Sequence, residues 1–159
     1  VSFQELSRVL AEERVALEHL FFRLEELKLF ALSGQPQWLA MATRELEDSF
    51  EVLERLEERR RLALAAACAE ANLGAEKKLR DLIEIAPYPW NEVLASHREP
   101  LVGLLEKIRD TSLEARQVLA QRIEVARMAL SALGSVPESS YSPSPSQHKK
   151  ASMLVDDTI

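Results

Sequence analysis

Glycine is nearly absent from this chain, with 4 in 159 residues, where an average protein of that length carries about 11. A β-sandwich or barrel turns about every 8–12 residues, and the glycine for such turns is missing. Buried β-branched runs, which a doubly wound α/β sheet requires, are missing too. One cysteine, Cys68, excludes a disulfide framework and a four-cysteine zinc site. No uncharged apolar run reaches the length of about 18 residues that spans a bilayer, so no membrane insertion is expected. The opening Val1-Ser2-Phe3-Gln4-Glu5 has neither the basic nor the apolar stretch of a signal peptide, and the cytoplasm is the expected location. A net charge of −6 and a pI of about 5.2 argue against general nucleic-acid binding, which needs a surplus of Lys and Arg on one face.

Catalytic patterns are absent as well. His19, His97 and His148 never stand four residues apart, and no HExxH, CxxC, GxGxxG or GxxxxGK[ST] occurs. Glu-x-x-Glu pairs such as Glu54/Glu57 lie on helix surfaces, whereas a di-iron bundle needs Glu-x-x-His pairs aimed into the core. The expectation is a non-enzyme with no metal and no cofactor.

What the chain has in abundance is Leu, Ala, Glu and Arg in long runs, the composition of extended helices. Phe3, Leu10, Leu17, Leu24 and Ala31 recur every seven residues. Leu6, Leu20 and Leu27 fill the second heptad position, which Glu13 interrupts. Such a repeat predicts coiled-coil-like packing. Val9, Phe21 and Phe30 widen the stripe, so this helix faces more than one neighbour. Ser33-Gly34-Gln35-Pro36 reads as a tight turn that returns the chain antiparallel. In the second helix, Leu39, Leu46 and Leu53 alternate with Ala42, Leu56 and Ala63. In the last, the stripe is Leu101, Leu105, Ile108, Ser112, Ala115, Leu119, Ile123, Ala126, Leu130 and Leu133. Pro100 should kink this helix or mark its true start. The fold class is therefore all-α: an elongated antiparallel bundle over residues 1–134. Its three long helices and one short one are expected at about 2–32, 36–73, 76–85 and 91–133, the long ones roughly 45–65 Å in length. Gly34, Gly74 and Gly134 mark helix ends.

From residue 135 the composition shifts to Ser and Pro, with Ser142-Pro143-Ser144-Pro145-Ser146 at its centre. Residues 135–159 are expected to be a disordered tail. It ends in the apolar triplet Met153, Leu154, Val155 before Asp156 and Asp157, which reads either as a docking element or as a frayed terminus. Cys68, inside an alanine run, reads as a small buried residue. Arg59, Arg60 and Arg61 form the strongest basic cluster; they read as a solvated face with pairs such as Glu57/Arg61, or as a patch for an acidic partner. Trp38 and Trp90 flank the two proline breaks and are expected to pack the hinges.

Several segments, taken in order, resemble one family. Leu10-Ala11-Glu12-Glu13-Arg14-Val15-Ala16-Leu17-Glu18 and Phe22-Arg23-Leu24-Glu25-Glu26 resemble the first helix of FlgN-type flagellar export chaperones, in particular the actinobacterial branch. Ala31-Leu32-Ser33-Gly34, followed by Trp38-Leu39, Ala42-Thr43-Arg44-Glu45 and Glu47, is similar to their second helix. Pro89-Trp90, His97-Arg98, Tyr141-Ser142-Pro143 and Leu154-Val155-Asp156 continue the likeness. The resemblance implies a cytoplasmic chaperone. It would bind hook–filament junction proteins through their C-terminal helices, keep them unassembled and deliver them to the flagellar export apparatus. The expected client surface is Leu119, Ile123, Leu130 and Leu133 with Tyr141, Met153, Leu154 and Val155; the alternative for the four helix residues is bundle core. The tail triplet would compete for the client groove or fold back with the client. Arg59, Arg60 and Arg61 are the candidate contact with the export machinery. A self-associating structural coiled coil and a helical adaptor unrelated to export remain as alternatives.

Overall fold

In a computed structural model the chain forms four helices: α1 (Ser2–Ser33), α2 (Pro36–Glu70), α3 (Leu79–Ile85) and α4 (Trp90–Ala132). The structure describes residues 1–74 and 77–134, and no strand occurs among them. The helices are those expected from the heptads, and their ends differ by a few residues for local reasons. Gly34 closes α1 in the left-handed conformation, φ 71°, and Pro36 opens α2, where its missing N–H costs nothing. α2 stops at Glu70 rather than 73, because Asn72, not Gly74, takes the left-handed position, with φ 57°. The Leu73 N–H then donates to the Cys68 carbonyl at 2.8 Å and the Asn72 N–H to that of Ala69 at 3.1 Å, a Schellman closure. α3 begins at Leu79 rather than 76: the Lys78 backbone N–H donates to Asp81 Oδ2 at 3.1 Å, which fixes the first turn there.

Pro100 lies inside α4 and neither ends nor begins it. A mid-helix proline costs about 3 kcal/mol. On either side of it Leu94 and Leu101 are fully buried, each contributing about 1.5–3 kcal/mol, and that burial holds the helix through the proline.

The order is up, down, up. Val1 and Ser2 lie beside Glu70, and Arg23 pairs with Glu45 at 2.7 Å, so α2 runs antiparallel to α1. Ser7 meets His97 at 2.9 Å and Lys28 meets Glu114 at 2.8 Å, so α4 runs parallel to α1. α3 caps the end where α2 hands over to α4. The heptad residues Phe3, Leu6, Leu10, Leu17, Leu20 and Leu24 are all core. Trp90 stacks on Phe3 with ring centroids 5.9 Å apart and so packs its hinge as expected. Trp38 does not; it is exposed on the first turn of α2. Cys68 is buried, and burial pushes its thiol up from the ordinary range.

Glu13 does not break the α1 stripe. It is buried, and Arg60 Nε lies 3.1 Å from its Oε1, so the two positions where the stripes weaken are partners across the α1–α2 seam. Burial pushes the Glu13 carboxyl up from its ordinary value, against the opposing pull of Arg60. A buried pair of this kind adds little net stability, because desolvating both charges offsets their attraction.

Arg60→Ala, which leaves the Glu13 carboxyl buried without its cation, is expected to cost about 3–5 kcal/mol in urea unfolding, while Glu13→Leu with Arg60→Met is neutral or more stable by about 1–4 kcal/mol. Because the folded carboxyl has the higher pKa, the native chain loses this part of its stability as the pH rises above 4.5. The advantage of the double variant should therefore grow with pH across that window.

Candidate protein-binding surface

α1 has 32 residues and α4 has 43, and the two start at the same end of the bundle. α4 therefore outruns α1. The crossing point is marked by Arg122, whose guanidinium donates to the Leu32 carbonyl in the last turn of α1. No basic residue of α1 itself stands in that turn, so α4 supplies the cation that the negative end of the helix dipole favours. Beyond this point α4 has no helix beside it, and every residue from 120 to 134 is exposed. At 1.5 Å per residue the free part, 120–132, extends about 20 Å.

The free part keeps the apolar pattern of the packed part. Leu105, Ile108 and Ala115 are buried. At spacings of 3 and 4, the same helix face carries on through Leu119, Ile123, Ala126, Leu130 and Leu133. Leu119 is half-buried at the edge of the bundle. Ile123 is 52% exposed, Leu130 51% and Leu133 79%. Three of the four α4 residues singled out as client-binding thus lie open, and Leu119 sits at the boundary. Tyr141, Met153, Leu154 and Val155 lie outside the described residues.

A second apolar set escapes the single-stripe reading. Val125 and Met128 are each 61% exposed on the other side of the same free helix. The signal was the seven-residue spacing Val118, Val125, Ala132. A helix apolar on more than one side is normally covered on more than one side. Leu29, Leu32, Trp38 and Met41 are also exposed at this end of the bundle. The local charge is opposite to the chain's. Arg116, Arg122 and Arg127 stand against Glu124 alone in 116–134, in a chain of net charge −6.

The three arginines of the α2 basic cluster are placed differently from one another. Arg60 is buried against Glu13 and presents no surface. Arg59 reaches across to α1, 2.5 Å from Glu12 and 3.7 Å from Glu5, and holds the Glu12 carboxyl below its ordinary range. Arg61 is exposed and pairs with Glu58 at 2.6 Å, not with Glu57. The three side chains point to three environments because consecutive helix positions are about 100° apart. No group of three metal-ligating side chains occurs among the described residues. The cleft lined by Glu51, Glu54, Arg55, Glu58 and Arg59 is an open depression on one face of α2.

The family model described as FlgN protein matches residues 2–148. The chain belongs to the FlgN family, the flagellar export chaperones. No curated protein and no solved structure matches it. For a FlgN chaperone, the helix that outruns its bundle is the feature to explain, since it keeps apolar surface uncovered where a self-contained bundle would end.

The packed and free halves of the α4 stripe should respond differently to truncation. Leu105→Ala is expected to cost about 2–5 kcal/mol in chemical denaturation. Ile123→Ser or Leu130→Ser should shift stability by no more than about 0.5 kcal/mol.

Proposed function

We propose that this chaperone binds the hook–filament junction proteins in the cytoplasm through their C-terminal helical segments. It holds them unassembled and hands them to the flagellar export gate. The observation that supports this reading is the uncovered continuation of the α4 core stripe through Ile123, Leu130 and Leu133. A terminal segment that assembles into a filament is amphipathic, and laying its apolar side along such a stripe hides it.

Magnitudes shape the reading further. Full burial of one large apolar side chain is worth about 1.5–3 kcal/mol, and Ile123 and Leu130 are already about half covered, so each has only part of that left to gain. Together they supply a few kcal/mol, whereas a micromolar complex needs about 8. A client therefore has to cover more than one face of the free helix, and Val125 and Met128 on its other side offer that second contact.

Co-purification with the C-terminal helical segments of the junction proteins from the same organism tests the reading. A stable one-to-one complex is expected, weakened about tenfold or more by Ile123→Ser with Leu130→Ser, a loss of about 1.4 kcal/mol or more, with the thermal melt unchanged. Absence of a complex, with a self-dimer by light scattering, overturns it in favour of a structural coiled coil.

A further inference from the structure

The open stripe of α4 is edged by arginines. Arg122 precedes Ile123 on one edge and Arg127 follows Ala126 on the other, so an occupant with an apolar centre and adjoining carboxylates fits it. This chain contains such a segment. Met153, Leu154 and Val155 are followed directly by Asp156 and Asp157, and the segment lies beyond the family match, which ends at 148. We propose that residues 153–159 dock on the free stripe of α4 in the client-free protein, the apolar triplet over Ile123 and Leu130 and the two aspartates beside Arg127. The proposal rests on the reading of this stripe as the client surface, and makes the chain's own terminus the occupant that a client displaces.

Chain length fits the geometry. Eighteen residues, 135–152, separate Gly134 from Met153, and a flexible linker of that length would have a root-mean-square span of about 21–25 Å. The distance back along the helix from Gly134 to Ile123 is eleven residues, or about 16 Å. A tether whose span is close to the distance it bridges gives effective concentrations in the millimolar range, so a millimolar intrinsic affinity suffices. A second copy of the chain has no such help. The free helix offers a face of about 20 Å by 10 Å, far below the roughly 800 Å² per partner of a stable interface. Its arginines would also face those of the copy.

Hydrogen–deuterium exchange on the full chain at low micromolar concentration, without client, tests this. The variants are Met153→Ser/Leu154→Ser/Val155→Ser, Asp156→Arg/Asp157→Arg, Arg127→Asp, and the last two combined. Arg127 is exposed, with only a 3.7 Å pair to Glu124, so none of these changes touches the core. Exchange across 120–132 is expected to be about threefold faster in each of the first three and to return toward the parent rate in the combined charge reversal. Equal exchange in all variants overturns the proposal. So does protection that rises with protein concentration, which would make a second copy the occupant. The triple serine variant should also bind a junction-protein C-terminal segment more tightly than the parent. If no variant binds that segment while the exchange pattern holds, the client reading fails and the docking of the terminus stands.

Discussion

The bundle is organised on α1, the helix that packs against both α2 and α4, while those two make no comparable contact with each other. Beyond the C-terminal end of α1 the core stops. The 32 residues of α1 set the length over which a third helix can be buried, and Gly34 sets where that length ends. α4 obeys the same seven-residue pattern for longer than α1 lasts. The open apolar stripe proposed as the client surface is a consequence of this mismatch in length rather than of any special side chain.

Charge arrangement follows the same axis. Glu13 and Arg60 occupy facing positions in the α1–α2 seam, where a shift of one heptad would set a charge against leucine. Around the seam, Arg59 reaches Glu12, Arg23 reaches Glu45, and Lys28 reaches Glu114. Each exposed pair contributes little to stability. Together they favour the observed register, which matters for helices whose apolar stripes would tolerate sliding by seven residues. Arg122 completes the set by capping α1 from α4 at the point where packing stops.

An export chaperone that binds its client through apolar surface has to keep that surface available without aggregating through it. Here the open continuation of the α4 stripe lies at one end of the bundle and is edged by Arg116, Arg122 and Arg127. A narrow stripe between like charges is a poor site for self-pairing and a good one for a ligand that brings carboxylates. The core at the opposite end is closed by Trp90 on Phe3 and by α3, so the packed core and the open stripe lie in different parts of the molecule.

The sequence by itself determined the helices and their seams. Seven-residue spacing needs only local geometry to become a face, and Gly34 and Pro36 need only their own backbone limits to make the turn. It also determined the apolar stripe of α4 from Leu101 to Leu133, but not where along that stripe burial ends. Leu105 and Leu130 are indistinguishable as letters in a pattern, and only the position of Leu32 beside Arg122 separates core from open surface. The same holds for Arg59, Arg60 and Arg61. Adjacent in sequence, they became a surface bridge, a buried register pin and a solvated side chain, because each faces a different neighbour. Periodicity is a property of one helix, whereas burial depends on which other helix lies alongside and how far it reaches.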